Sequence, residues 1–257
     1  MFGGKFTADY HVEQKYEIAY FPIASFQQYG PHLPLTSSIL VTHALSEQIS
    51  TELNAFMLPV QPFSTNYEHD GDKYSVGLDA GLVYEMVLDI ANELKRQGFN
   101  KLVLHQGHGG IFMIFPLVRH INANVGIKTV LVNPFDLFVA EDKGIIETKD
   151  NLHGCEVNTS LLLHVNEELV RKDKMIGVDF VPDKPRSFLN YKSIPAICPD
   201  GVWGHPSYAT KEKGQKLFET FTQLSVAYIR EAFDFMDRTG DYTGGREAAY
   251  LEELKKS

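Results

Sequence analysis

Cysteine is scarce in these 257 residues, with Cys155 and Cys198 the two present. Two cysteines so far apart make no disulfide framework, and a reducing, cytoplasmic compartment is expected. Tryptophan occurs once, at Trp203. No run reaches the roughly 20 apolar residues of a membrane-spanning helix, so no membrane partner is expected. The opening stretch MFGGKFTADYHVEQKY lacks the apolar core of a secretory leader. Positive charge is also short: 24 Lys and Arg stand against 33 Asp and Glu, a net charge of −9. An acidic chain with no basic run suits a phosphate backbone poorly, so no nucleic-acid partner is expected. P-loop, dinucleotide fingerprint, Gly-x-Ser-x-Gly elbow and Cys-x-x-Cys pair are all missing.

What is present is ample core: 44% of residues are apolar and 12% aromatic. The length suits one α/β domain over residues 1–257, and no linker divides it. Residues 17–24 read as a strand, with Ser37 or Ser38 capping a helix that runs to about 53. A short strand covers 56–60. Residues 79–96 repeat Leu82, Met86, Val87, Ile90 and Leu94 at helical spacing, and Gly98 lies just past the end. Strands are predicted at 101–105 and 128–132, the second ended by Asn133-Pro134. Helices are predicted from the 106–110 turn to about 122, over 155–167 and over about 209–237. Four prolines make 177–201 irregular, and a solvated tail covers about 240–257. Alternating strands and helices argue for a mainly parallel sheet covered on both faces. In such folds chemistry gathers at the C-terminal ends of strands.

Several polar segments fall there. Gln106-Gly107-His108-Gly109-Gly110 lets the backbone approach a ligand and holds an imidazole that can bind a metal, or it is a tight turn. His153 opens a helix with Cys155, Glu156 and Asn158. It can act as general acid or base, with Glu156 binding metal or orienting a histidine. Glu156 can equally serve the helix dipole, and Cys155 can be a small buried residue. Glu68 and His69 sit in a loop as ligands or as solvated groups. Trp203, flanked by glycines, lids a pocket or fills a core edge. Ser25-Phe26-Gln27-Gln28-Tyr29-Gly30-Pro31-His32-Leu33-Pro34 looks like an active-site loop, yet amides and a phenol stand where ligands are wanted.

Together these segments resemble the creatininase (creatinine amidohydrolase) family. The loop from Ser25 to Ser38 is similar to Ser-x-Glu-Gln-His-Gly-Pro-His-Leu-Pro-Leu ending in Thr-Asp. Glu68-His69 is similar to Ser-x-Glu-His, and Gly107 to Gly110 to Asn-Gly-His-Gly-Gly-Asn. His153 to Ser160 resembles His-Ala-Gly-x-x-Glu-Thr-Ser. Gly201 to Pro206 and Ala209 to Gly214 resemble Gly-Val-x-Gly-Asp-Pro and Ala-Thr-x-Glu-Lys-Gly. The resemblance implies a three-layer α/β/α sandwich, a homo-oligomer (a hexamer by family habit), and hydrolysis of a cyclic amide or related C–N bond by two Zn or Mn ions.

Carried over residue by residue, the family's first-loop Glu falls on Gln27, its His on Tyr29 and its bridging Asp on Ser38. The later Glu falls on Asn158 and the Asp before Pro on His205. Of the matched metal positions His108 alone is kept, and His153 matches the catalytic imidazole. Neutral amides bind Zn²⁺ poorly, and one imidazole cannot hold a metal pair. The expectation is an altered site with one Zn or Mn ion or none, whose catalytic residues are His153 and Glu156. Gln27, Tyr29, His32, Ser38, Glu68, His69, Asn158 and Trp203 would line the pocket. Its occupant would be a small molecule, either hydrolysed or only bound. A purely structural subunit is the remaining reading.

Overall fold

Strand alternation sends successive side chains to opposite faces. In the computed structural model, which describes residues 3–5, 7–140 and 144–240, that rule divides the core in two. The strands are β1 (Ile18–Ile23), β2 (Phe56–Met57), β3 (Lys101–Gln106) and β4 (Lys128–Val132), and all pairings are parallel in the order β2-β1-β3-β4. Ala19, Phe21 and Ile23 of β1 and Leu102 and Leu104 of β3 face one side. There they meet α3 (Ala80–Arg96) and α4 (Ile114–Asn124) through Val83, Val87, Leu117 and Ile121. Tyr20 and Val103 face the other side. They pack on α2 (Ser37–Glu52), α5 (Pro134–Ala140), α6 (Glu156–Asn166) and the long α8 (Lys211–Thr239). Side chains such as Ile49 and Leu104 are fully buried, each stabilising by about 2 kcal/mol. This is the expected three-layer sandwich.

The differences from the expected elements have local causes. The strand expected over 56–60 stops at Met57, because Pro59 has no N–H for the ladder. The chain still follows β1 through single bonds, Leu58 N to Tyr20 O and Gln61 N to Pro22 O, both 2.9 Å. Asn133-Pro134 ends β4 but also starts α5. The Asn133 side chain accepts from Phe135 N at 3.1 Å, and proline suits a first helical position. The helix after the glycine turn begins only at Ile114, so its N-terminus does not reach His108. Neither Ser37 nor Ser38 caps α2: their hydroxyls donate to the carbonyls of Pro34 at 2.6 Å and Gly107 at 3.1 Å. A short α1 (Ala8–Gln14), which buries no residue, was not foreseen. The irregular 177–201 segment holds a 3-10 turn, Arg186–Asn190, and one helical turn, α7 (Ile194–Ile197). The expected tail lies outside the described residues beyond Gly240. Among the described residues no helix is long and apolar enough to cross a membrane.

Candidate active site

The loops leaving β1, β3 and β4 surround one cavity of about 800 Å³. Gln27 and Tyr29 reach it from the loop after β1, and His105 to Gly110 from the end of β3. Asn133 and Asp136 follow β4, and Glu68 and His69 come from the 3-10 turn Tyr67–His69. His153 and Asn158 enter from the start of α6.

Four histidine and amide side chains touch in series. Gln27 Nε2 stands 3.4 Å from His153 Nε2. His153 stacks on Tyr29 at 4.4 Å between ring centres and lies 4.6 Å from the His69 ring. The His69 and His108 rings are 6.3 Å apart. His153 Nδ1 donates to Gly201 O at 2.7 Å, which leaves Nε2 to accept from Gln27. Burial first, then the neighbouring His69, hold His153 well below its ordinary pKa, so it is neutral at pH 7. His69 Nδ1 donates to Asp72 Oδ2 at 2.9 Å. A carboxylate in that position fixes the ring and its tautomer.

Glu68 Oε1 and His108 Nε2 are 2.6 Å apart but off the line of a hydrogen bond, so each keeps capacity for a third partner. Burial opposes the Glu68 charge, yet His108 and the Glu68 backbone N–H hold its carboxyl below the usual range. Gly110 makes room for the pair, since a Cβ there would lie 2.2 Å from Glu68 Oε1. Buried atoms with no hydrogen-bond partner among the described residues include Gln27 Oε1, Glu68 Oε1, His69 Nε2 and His108 Nε2. All four belong to residues lining the cavity. These atoms give the cavity wall hydrogen-bonding capacity suited to a polar ligand.

The family's metal pair does not fit these residues. Burial drives the Tyr29 phenol above its ordinary pKa, and the neighbouring Ser38 and Gln27 side chains offset this in part. The Ser38 hydroxyl also accepts from Ser25 N at 3.3 Å. The three substituted loop positions thus bring neutral groups together where the family's ligands are expected. Among the described residues no three His, Cys, Asp or Glu side chains are placed to hold a metal ion.

Glu156 is placed away from the cavity. Its fully buried carboxylate accepts from Thr148 N at 2.9 Å, Thr148 Oγ1 at 2.6 Å and Lys213 Nζ at 2.5 Å. The role in catalysis expected from its place beside His153 is therefore corrected: one turn of α6 aims it at the loop before the helix. His32 is a strut, its Nε2 2.9 Å from Thr159 Oγ1 on α6. Ser38 lies behind the lining on Gly107, and His205 pairs weakly with Asp179 at 3.8 Å. Trp203 is 4% exposed and packs with Ile194 and Cys198, while its backbone N and O pair with His153. It supports His153 from behind and forms no lid. Cys155 is buried, and burial pushes its thiol up to about 11, away from thiolate chemistry.

Asn133, Asp136 and Arg186 also stand on the lining, and no sequence motif marks them. The α2 residues Thr42 and Ser46 were missed too. Spaced four apart with Ser38, they present a hydroxyl stripe to β3, and Ser46 Oγ lies 2.8 Å from His105 Nδ1. That spacing was a readable signal.

The sequence profile of the creatininase family, described as creatinine amidohydrolase, matches residues 7–229. The creatinine amidohydrolase of Pseudomonas putida is 25% identical, covering 82% of this chain and 88% of its own. The mycofactocin precursor peptide peptidase of Mycobacterium ulcerans is 23% identical, covering 81% and 82%. The 3-dehydro-scyllo-inosose hydrolase of Thermotoga maritima is 22% identical, covering 84% and 77%. A crystal structure of creatininase superposes with a TM-score of 0.77 at 22% identity, over 90% of this chain and 97% of its own. A manganese form gives 0.76 at 23%, over 90% and 98%. The similar fold, with this match over most of the length, places the chain in the creatininase family.

Proposed function

We propose that the cleft binds a small ligand through an amide group and hydrolyses its C–N bond without the family's metal pair. One observation carries this reading: the unpaired buried atoms match an amide and a base. His108 Nε2, beside the Glu68 carboxylate, donates to the ligand carbonyl. Gln27 Oε1 accepts the ligand N–H. His69 Nε2, with Nδ1 bonded to Asp72, takes a proton from water. The water oxygen bonds to the carbonyl carbon, the C–N bond breaks, and His69 returns the proton to the departing nitrogen. Neutral His153 holds Gln27 and His69 in place. The P. putida relative, an amidohydrolase by name, supports this class of reaction.

The test combines elemental analysis with turnover. On protein made without a tag or chelator, zinc and manganese are expected well below one per chain. Turnover in a screen of cyclic amides and N-acyl compounds is expected to survive EDTA. His69→Asn should lower kcat by about 100-fold or more while ligand still binds. Stoichiometric metal with EDTA-sensitive turnover would overturn the proposal. Binding without turnover would select a second reading, a binding protein that has lost catalysis. The neutral side chains of Gln27, Tyr29 and Ser38 favour that reading, since they stand where the family's metal ligands are expected.

A further inference from the structure

We infer that the ligand carries a carboxylate, seated against Arg186 one residue beyond the reacting amide. This deepens the amide-binding reading above and rests on it. Arg186 is the single Lys or Arg among the residues lining the cavity. Glu68 and Asp136 line the same cavity, yet among the described residues Arg186 pairs with no carboxylate. A Cβ on Gly109 would stand 3.5 Å from its guanidinium nitrogen, so the charge lies beside the turn that carries His108.

Arg186 is exposed, on a segment shaped by its own turn. Phe188 N donates to Pro185 O at 2.9 Å and Tyr191 N to Phe188 O at 2.9 Å, closing the 3-10 turn. Leu189 packs against the core of Ile194, Cys198 and Trp203. Trp203 in turn is bonded to His153 through the backbone. The turn that bears the cation is thereby joined to the backbone behind His153. A guanidinium is a planar fork of donors that matches a carboxylate in two parallel hydrogen bonds. On a chain of net charge −9, it is also the feature that lets an anion approach. At about 800 Å³ the cavity exceeds a single small ring and has room for both groups. The ligand class is an acyl amide or lactam with a carboxylate a few atoms from the amide.

Calorimetric titration with matched probes tests the anchor without requiring turnover. The acids are 5-oxopyrrolidine-2-carboxylate and N-acetylglycine, and their neutral partners are the corresponding carboxamides. Wild type should bind each acid about tenfold more tightly than its carboxamide. Arg186→Gln should erase that preference and leave carboxamide affinity unchanged, and Arg186→Lys should keep part of it. Equal affinity for acid and carboxamide in wild type, or a preference that persists in Arg186→Gln, would overturn the anchor while the amide cleft stands. Failure of all four probes to bind at millimolar concentration would overturn the anchor and the cleft together.

Discussion

Glu156 shows how two residues three apart in sequence can have opposite duties. His153 and Glu156 open the same helix, yet His153 faces the cavity and Glu156 faces the loop at 147–151. The carboxylate receives two backbone N–H groups, a hydroxyl and the Lys213 ammonium. Burial opposes its charge, but Lys213 and Thr148 more than offset that and keep its pKa below the usual value. Glu156→Gln keeps the shape and removes the charge. It should destabilise the fold by about 2 kcal/mol, as lost charge-assisted bonds do. Urea denaturation reads this, and ligand affinity in the folded variant should not change. An unaltered midpoint would return Glu156 to the list of residues free to act elsewhere. No sequence feature distinguished the two sides of this turn, because the partner Lys213 lies 57 residues away.

At the scale of elements, α6 and α8 pass close enough to need a missing side chain. Gly214 lies in the first turn of α8, and a Cβ there would stand 1.8 Å from Ser160 O and 2.9 Å from the His164 Cβ. Helix propensity favours Ala over Gly by about 1 kcal/mol. Backbone cannot yield as a flexible side chain does, and overpacking costs about 1–3 kcal/mol or more. The clash should win, so Gly214→Ala should lower the urea midpoint. A raised midpoint would mean that the helices are free to separate. Most elements were legible in the sequence: the apolar spacing gave α3, and short apolar runs gave β3 and β4. The start of α5 was not, because Asn133-Pro134 carries both a stop and a start signal and neighbouring packing chooses between them.

The whole molecule buries several imidazoles in neutral form. Burial holds His105 down to about 3. It also holds His32 to about 4, partly offset by the Gly154 backbone. The ordinary value is about 6.5. Between pH 6.5 and 4 the unfolded chain therefore binds protons that the folded chain does not. Stability rises with pH in that window and is lost as pH falls through it. Each histidine contributes up to about 1.4 kcal/mol per pH unit. Urea midpoints at pH 7, 5.5 and 4.5 should drop in that order. A flat series would mean that these rings are protonated in the folded state.

Composition, periodicity and ordered motifs were enough to determine the sandwich and the family, because both are written in local patterns spread along the chain. They also marked Gln27, Tyr29, Glu68, His69, His108, His153 and Asn158, all of which line one cavity. Tertiary structure alone decided which way each side chain points. It turned Glu156, His32, Ser38 and Trp203 into supports. It also brought Arg186 to the glycine turn. The reason is physical: a side chain's partner is set by the packing of segments far apart in sequence, and that is not written in the residues beside it.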